Sequence, residues 1–221
     1  MKKNKKDTEH ESNDKKRTIK IILLGNTETG KTSLINAYEG KKFLDESLST
    51  FGSQFIRKDL EINGETYSVQ IWDTAGQERY RSVNKIYIKG SHIVLFVYDV
   101  TNRLSFTDLA DFWVDYVDKI LGNNITRGLA GNKIDLQDIK VTKKEGKEYA
   151  EKICALFQQT SAKDHPQGII DFIYELCTDY VSKYGDQLQD EGTFNIKKQG
   201  KKKSQGKKGE KGVKGEPNGC C

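Results

Sequence analysis

A short apolar run that ends in a glycine-rich loop limits the fold of this chain more than any other feature. The segment IKIILLGN, residues 19–26, predicts a strand that is buried on both faces of a sheet. The segment TSLINAYEG, residues 32–40, predicts a short helix directly after the loop. A buried strand, a loop and a helix in this order favour an α/β fold.

Later segments extend this alternation of strands and helices. HIVLFVYDV, residues 92–100, is continuously apolar and too short for a buried helix, which predicts a central parallel strand. Residues 59–72 predict two strands joined at Asn63-Gly64, because an Asn-Gly pair favours a tight hairpin turn. Two helices with core-facing apolar and aromatic residues are predicted by three- and four-residue spacing, at Phe106, Leu109, Phe112, Trp113, Tyr116, Val117 and Ile120, and at Ile169, Ile170, Ile173, Leu176, Cys177 and Tyr180. The pattern predicts a mostly parallel sheet with ligands at the carboxyl ends of its strands.

The positive charge of the chain is concentrated at its two ends. The chain carries a net charge of +5, whereas residues 1–17 hold seven Lys or Arg against four acidic residues, and residues 192–221 hold nine Lys against two Glu. The part between them is mildly acidic, so we expect no nucleic-acid binding by the folded part. We expect a disordered arm at residues 1–17, one folded domain at residues 18–184, and a flexible Lys- and Gly-rich tail at residues 185–221.

Hydropathy and cysteine content indicate the compartment. The sequence has no apolar run of about 18 residues and no apolar signal segment, so we expect a chain that is made in the cytosol and stays there. A disulfide framework is not expected in that reducing compartment. Cys154 and Cys177 are predicted to be buried thiols on apolar helical faces.

The loop GNTETGKT has the spacing of a phosphate-binding loop. Its backbone N–H groups are predicted to face phosphates, with Lys31 reaching the β- and γ-oxygens and the Thr32 hydroxyl ligating Mg²⁺. The predicted nucleotide-binding residues of this segment are Gly25, Asn26, Thr27, Glu28, Thr29, Gly30, Lys31, Thr32 and Ser33. The alternative is an ordinary glycine-rich turn before a helix.

Three further motifs follow apolar strands. The first indicates a metal site, and the other two indicate which base is bound. In WDTAGQE, Asp73 ends a strand where a carboxylate can hold the Mg²⁺ shell, and Gly76 offers an unobstructed backbone N–H. In GNKID, Asn132 is combined with Asp135, whose carboxylate matches the N1–H and 2-amino edge of guanine and has no such partner on adenine. TSAK, residues 160–163, supplies a backbone N–H for a base carbonyl. A phosphate-loop kinase or ATPase is therefore disfavoured.

With these motifs the chain resembles the Rab family of Ras-like small GTPases, over about residues 19–184 and at the C-terminal end. WDTAGQER, GNKIDL and TSAK are shared widely among small GTPases, and LSTFGSQF, YRSVNKIYIKG and FVYDVT resemble Rab-type segments. The resemblance implies a single P-loop GTPase domain of the α/β class, with a mostly parallel six-stranded sheet flanked by helices. It also implies a switch that hydrolyses GTP to GDP and regulates vesicle trafficking.

The resemblance also implies roles for individual residues. Thr50 would ligate Mg²⁺ and sense the γ-phosphate, and Phe43 would stack edgewise on the guanine, with an ordinary core position as the alternative for Phe43. Gln77 would be the catalytic residue that orients the attacking water, and an activating protein would supply an Arg in trans. The implied metal ligands are Thr32, Thr50 and Asp73, and the implied base-site residues also include Lys133, Ser161, Ala162 and Lys163.

Several residues depart from the Rab pattern. Most Rab proteins have Gly at the position of Glu28, Tyr at the position of Ser47 and a Val-Asp pair at the position of Ser53-Gln54. The Glu28 carboxylate either points to solvent, which makes it a neutral surface substitution, or points at the phosphates, where like charge weakens binding. The alternative function is therefore a guanine-nucleotide-binding membrane scaffold with little hydrolysis, and no Rab subtype is assigned.

The C-terminal Gly-Cys-Cys resembles the double-cysteine prenylation end of Rab proteins. Geranylgeranyl groups on Cys220 and Cys221 would anchor the chain stably, and the neighbouring Lys run would add attraction to anionic lipid. The alternative is a solvated basic tail or a nuclear-localisation patch. The resemblance implies a monomer on the cytoplasmic face of intracellular membranes with a cytosolic pool. Its implied partners are an exchange factor, a GTPase-activating protein, effectors, a GDP dissociation inhibitor and a prenylation escort.

Overall fold

A six-stranded sheet forms the centre of the molecule. The computed structural model describes residues 16–44, 53–74, 81–122 and 124–188. The strands are β1 (Arg17–Leu24), β2 (Ser53–Ile62), β3 (Glu65–Thr74), β4 (Ile93–Asp99), β5 (Thr126–Asn132) and β6 (Ala155–Gln159). The helices are α1 (Lys31–Tyr38), α2 (Arg81–Ile88), α3 (Arg103–Asp108), α4 (Val114–Leu121), α5 (Lys143–Lys152) and α6 (Pro166–Tyr184), with a π-helical segment at Leu109–Trp113 and a 3₁₀ turn at Gly185–Gln187.

The strand order is β2-β3-β1-β4-β5-β6, and only the β2–β3 pair is antiparallel. This confirms the predicted mostly parallel sheet and the predicted hairpin. Asn63 and Gly64 have φ values of 54° and 79°, the left-handed conformation that a tight hairpin turn requires. In the sheet β1 lies between β3 and β4, and the strand order reverses direction at β1, so a crevice opens at its carboxyl end.

The two faces of the sheet pack in separate hydrophobic clusters. Ile21 and Leu23 of β1 contact the cluster that includes α1 and α6, whereas Ile22 and Leu24 contact the cluster on the opposite face. Every residue of β4 is buried, which explains why its sequence shows no alternation of polar and apolar residues. At Gly128 in β5, a Cβ would lie 2.9 Å from the Leu176 side chain, so glycine lets α6 pack closely on the sheet.

The predicted helix after β4 is interrupted in the structure. Helices α3 and α4 are joined by the π-helical segment Leu109–Trp113, in which the Val114 backbone N–H donates to the Leu109 carbonyl, five residues before it. The apolar spacing predicted a helix in this region correctly but did not indicate the change of pitch. No helix in the described ranges has the length and apolar character that a bilayer span requires.

The prediction of two buried thiols is correct for Cys177 and wrong for Cys154. Cys177 is fully buried on α6, and burial raises the pKa of its thiol to about 12. Cys154 is exposed, because α5 ends at Lys152 and the chain turns through a left-handed conformation at Cys154, with φ 52°, before β6 begins. The thiol therefore lies on a connecting turn and not on the apolar helical face.

Candidate functional site

The phosphate-type loop lies between β1 and α1, and its glycines are required by close contacts. A Cβ at Gly25 would lie 2.1 Å from the Val97 carbonyl oxygen, so the loop leaves β1 pressed against β4. Gly30 has a φ of 89°, and a Cβ there would lie 2.4 Å from Nδ2 of Asn132. Gly30 thus lets the loop contact the carboxyl end of β5, where the GNKID motif begins.

Lys31 begins α1 and is almost completely buried. Its Nζ donates hydrogen bonds to the carbonyl oxygens of Gly25 (2.9 Å) and Asn26 (2.8 Å). Burial lowers the pKa of Lys31 to about 8, and the nearby Asp73 carboxylate opposes this shift. The ammonium is therefore held beneath its own loop, where it is short of solvation and suited to anionic oxygens.

Thr32 and Asp73 meet at the carboxyl ends of β1 and β3. The Thr32 hydroxyl donates to the Asp73 carboxylate at 2.6 Å, and Asp73 is only 3% exposed. A hydroxyl beside a buried carboxylate is the type of oxygen pair that holds Mg²⁺, which takes few protein ligands and keeps waters and phosphate oxygens. The residues present therefore fit this ion.

Asn132 joins three loops through its side chain. Its Nδ2 donates to the Thr29 carbonyl at 2.9 Å, and its Oδ1 accepts from the Thr160 hydroxyl at 3.1 Å. The side chain is 1% exposed. Asn132 thus connects the phosphate-type loop with the GNKID and TSAK segments.

Asp135 and Ser161 pair at the other end of the site. The Ser161 hydroxyl donates to Asp135 Oδ1 at 2.6 Å and accepts from the Asp164 backbone N–H at 3.0 Å. Because Ser161 is fully buried, it fixes the orientation of the Asp135 carboxylate. A carboxylate oriented in this way can accept two donors from one edge of a flat base.

Lys133 lies between Asn132 and the Asp135–Ser161 pair. It adopts a left-handed backbone with a φ of 68°, and its Nζ forms an ion pair with Asp99 at 2.7 Å. Asp99 also accepts from the backbone N–H and the hydroxyl of Thr101. The aliphatic part of Lys133 is thereby held along the site by a carboxylate at the end of β4.

A cleft of about 500 Å³, a volume typical of small-molecule sites, runs from Gly30 of the phosphate-type loop to Asp135. Phe43 lies on one side of it, partly buried against the core, with Lys163 Nζ 5.6 Å from the ring centroid. Both interpretations of Phe43 are thus compatible with its position, because the ring contacts the core and also faces the cleft. The residues that line the cleft are Glu28, Gly30, Ser33, Phe43, Leu44, Asn132, Lys133, Asp135, Leu136, Ala162 and Lys163.

Glu28 and Thr27 occupy the outer part of the loop. Glu28 has a φ of 65°, a left-handed conformation that favours glycine, and its side chain is exposed while it lines the cleft. The Thr27 hydroxyl is buried and has no hydrogen-bond partner within the described residues. A buried hydroxyl of this kind is able to hydrogen-bond to a polar ligand or water that reaches it.

Some predicted site residues lie outside the described residues. These are Thr50, Gly76, Gln77, Cys220 and Cys221, as well as Ser47. Ser53 and Gln54 lie at the start of β2, paired with Thr74 and Asp73. The roles assigned to these residues stay predictions.

The structure shows side-chain contacts at the site that the sequence motifs did not indicate. Thr160 holds Asn132, and Asp99 holds Lys133. Both lie at the carboxyl end of a strand, which is a weak positional signal, but neither belongs to a pattern that specifies its partner. Contacts between distant segments of this kind follow from the strand order and not from local spacing.

Comparison with known proteins identifies the family. A model of the Ras family matches residues 20–181. Ras-related protein Rab-1 of Theileria annulata is 41% identical over 146 residues, 66% of this chain and 66% of that protein. Ras-related protein Rab-21 of Homo sapiens is 40% identical over 161 residues, 72% of this chain and 71% of that protein. Ras-related protein RIC1 of Oryza sativa subsp. japonica is 38% identical over 147 residues, 66% of this chain and 72% of that protein.

These matches agree with the geometry of the cleft. The matched region contains the phosphate-type loop, the Thr32–Asp73 pair and the Asp135–Ser161 pair, and it spans all six strands except the first residues of β1. The chain therefore belongs to the Ras family of small GTPases and, within it, to the Rab group.

Proposed function

We propose that this chain binds GTP and GDP together with Mg²⁺, hydrolyses GTP, and acts as a switch in vesicle trafficking. The observation that carries the proposal is one cleft with two different ends. At one end, Gly30 and Ser33 line the cleft beside the loop that encloses the Lys31 ammonium, and at the other the Asp135 carboxylate is held by Ser161. A triphosphate and a guanine base joined by a ribose require such groups at opposite ends of one site.

The phosphate end binds through charge and backbone dipoles. The N-terminus of α1 and the N–H groups of the loop favour anionic oxygens, and Lys31 adds a positive charge that is already desolvated. Thr32 and Asp73 would hold Mg²⁺, which neutralises negative charge on the phosphates when it is bound. Thr50 is proposed as a further ligand by family resemblance.

Hydrolysis is proposed from the family. The oxygen of a water forms a bond to the γ-phosphorus while the bond from that phosphorus to the β–γ bridging oxygen breaks, which gives GDP and phosphate. Gln77 would orient this water, and an activating protein would supply an Arg that stabilises the transferring group. The phosphate-loop groups of this chain hold the γ-phosphate in place for that step.

Nucleotide selectivity tests the proposal. We expect the purified chain to bind GTP and GDP with Mg²⁺ and to bind ATP at least about a hundredfold more weakly, because adenine lacks the two donors that Asp135 accepts. Competition against a fluorescent GDP analogue measures this ratio. Equal binding of ATP and GTP would refute the proposal.

Hydrolysis distinguishes the switch from a scaffold with little turnover. The scaffold remains a candidate because Glu28 places a carboxylate at the phosphate end of the cleft. Single-turnover GTP hydrolysis, with and without an activating protein, separates the two. Acceleration by the activating protein supports the switch, and bound GTP that persists in both conditions supports the scaffold.

Membrane attachment is proposed for the C-terminal end. We propose residues 1–17 as an N-terminal arm, residues 18–184 as the GTPase domain, and residues 185–221 as a basic tail that carries lipid on Cys220 and Cys221. Two lipid chains anchor a protein stably, and lysines add attraction to anionic membranes. Deletion of both cysteines should release the chain to the cytosol in fractionation, whereas a deleted chain that stays on membranes would contradict the proposal.

A further inference from the structure

The side chain of Asn26, the second residue of the phosphate-type loop, forms hydrogen bonds with two side chains of the helical region after β4. Its Nδ2 donates to Asp108 Oδ2, and its Oδ1 accepts from Nε1 of Trp113 at 3.2 Å. Trp113 is 2% exposed, so its indole N–H has no access to bulk water. The amide of Asn26 therefore satisfies a buried donor and a carboxylate at the same time.

The π-helical segment explains how both partners reach one side chain. Asp108 and Trp113 are five residues apart, a separation that places two side chains about 140° apart around a regular α-helix. The wider turn, with its i→i+5 hydrogen bonds, brings residues at this spacing to the same side of the helix. The π turn therefore allows both Asp108 and Trp113 to contact Asn26 of the loop.

The backbone carbonyl of Asn26 is one of the two carbonyls that bind the Lys31 ammonium. Its carbonyl oxygen accepts from Lys31 Nζ at 2.8 Å and from the Thr29 hydroxyl at 3.0 Å. The side chain and the carbonyl belong to the same residue, so a shift of the amide moves one of the two oxygens that hold the Lys31 ammonium. The helix that contains the π turn is thus connected to the phosphate-binding lysine through a single residue.

We propose that Asn26 is a positioning residue that, through Asp108 and Trp113, holds the phosphate loop in its nucleotide-binding shape and so sets the rate of nucleotide release. The proposal rests on the proposed binding of guanine nucleotide. It goes beyond that binding because it assigns control of release to side chains on α3 and the π-helical segment. Neither Asp108 nor Trp113 lines the cleft.

Variants that exchange the Asn26 amide and the Asp108 carboxylate test the proposal through the rate of nucleotide release. Asn26→Asp places two carboxylates against each other, and we expect release of a fluorescent GDP analogue to accelerate about tenfold, the equivalent of one pKa unit of like-charge repulsion. Asn26→Asp combined with Asp108→Asn restores one amide and one carboxylate in reversed positions. We expect this double variant to release the analogue within about twofold of the unchanged chain, since the pair interaction is regained.

Two further variants separate this contact from general effects on the helix. Trp113→Phe removes the indole N–H and keeps an aromatic ring, and we expect release to accelerate about threefold to tenfold, the range for one lost hydrogen bond. Asp111→Asn removes the same charge from an exposed position on the π-helical segment, and we expect no change in release. Urea unfolding of each variant checks that it is folded.

The outcomes are distinct. Fast release by Asn26→Asp, recovery in the double variant and no effect of Asp111→Asn support the proposal. Normal release by Asn26→Asp, or fast release that the double variant does not reverse, overturns it while the binding of GDP stands. An unchanged chain that holds no GDP analogue overturns the proposed function and this inference together.

Discussion

Two lysines, one in β1 and one in the loop and helix that follow it, are bonded to backbone carbonyls, and they serve different parts of the molecule. Lys20, in the amino-terminal half of β1, donates to the carbonyl oxygens of Tyr87 (2.6 Å) and Lys89 (2.9 Å), at and just after the end of α2. Its Nζ also lies 4.9 Å from the centroid of the Trp72 ring. Lys31, just beyond the carboxyl end, donates to carbonyls of its own loop.

The two lysines differ in whether their interactions are complete within the protein. Lys20 satisfies the last carbonyls of a helix, where a positive charge is favourable, so its interactions are made within the folded protein. Lys31 is almost completely buried beneath the phosphate-type loop and beside one carboxylate, where we propose that a highly anionic ligand binds. We therefore expect changes at the carboxyl end of the sheet to alter ligand binding, and changes at the amino end to alter stability.

Lys31→Ala should give the largest effect. Loss of two charge-assisted hydrogen bonds to phosphate oxygens costs about 3–6 kcal/mol, so we expect affinity for GDP to fall by about two to four decades. The free energy of unfolding without nucleotide should change much less, because the loss of two hydrogen bonds to loop carbonyls is offset in part by removal of a desolvated ammonium. Titration calorimetry and urea unfolding measure the two quantities.

The matched control for this change is Lys119→Ala at an exposed position of α4, which should alter neither quantity. If Lys31→Ala binds GDP normally and is strongly destabilised, the assignment of the two ends is reversed.

Asp135→Asn should change which base is bound. In the proposed complex the carboxylate accepts two donors of guanine, and an amide at this position would present one donor and one acceptor, which suits xanthine better. We expect preference to shift from GTP toward xanthosine triphosphate by about two decades, for a loss of about 3 kcal/mol. Competition binding with both nucleotides measures the shift, and an unchanged preference would remove Asp135 from the base site.

Titration of His92, near the amino end of the sheet, should make the free energy of unfolding depend on pH. Burial and, to a smaller extent, Lys20 lower its pKa to about 4 from the ordinary 6.5, and its Nδ1 accepts from the Lys20 backbone N–H at 2.9 Å. Between these values the unfolded chain binds more protons than the folded one, so stability is highest above pH 6.5 and falls as the pH drops toward 4. The expected loss is about 3 kcal/mol.

The variant His92→Asn keeps an acceptor for the Lys20 N–H and cannot titrate, so its stability should depend less on pH over this range. His165→Asn, at an exposed position before α6, is the matched control and should retain the pH dependence of the unchanged chain. Urea unfolding at several pH values measures all three. Equal pH dependence in His92→Asn and the unchanged chain would show that another group is responsible.

Glu28→Gly should give the smallest effect and concerns the phosphate end alone. The side chain is exposed, so solvent screens its repulsion of phosphate to about 1 kcal/mol, and we expect GDP release to slow several-fold at low salt. Glu28→Gln separates the causes, since it removes the charge and keeps a side chain at a φ of 65°. Stopped-flow release at two salt concentrations measures both variants.

If charge is responsible, the Gln and Gly variants slow release equally and the difference from the unchanged chain narrows at high salt. Slower release in the Gly variant alone would assign the effect to backbone strain, and equal release in all three would make Glu28 a surface variation without influence on the nucleotide.

Local sequence was sufficient to predict the elements of the fold. The run at residues 92–100 predicted β4, and Asn63-Gly64 predicted the β2–β3 hairpin, because burial on both faces and a left-handed turn each restrict the residues allowed. The order of the strands is consistent with the family resemblance. The number of strands, by contrast, was implied by the family resemblance and not by local sequence.

The interactions between segments were not predictable in the same way. Trp113 was predicted to pack in the core, and it does, but its hydrogen bond to Asn26 joins residues 87 positions apart. The π-helical segment leaves the apolar spacing nearly intact, so periodicity did not reveal it. Cys154 follows an apolar residue at the end of α5, and only the left-handed turn places it in solvent.

The position of β2 at the outside of the sheet has a consequence for crowding. An outer strand exposes unpaired backbone groups that could pair with a second copy of the chain, a hazard that grows when lipid anchoring would concentrate copies on a membrane. Arg57, Lys58, Asp59 and Glu61 are exposed along β2. Their charges oppose strand-to-strand pairing, and β6, with five residues, is a short outer strand on the other side. Both sides of the sheet are therefore protected against aggregation at high surface density.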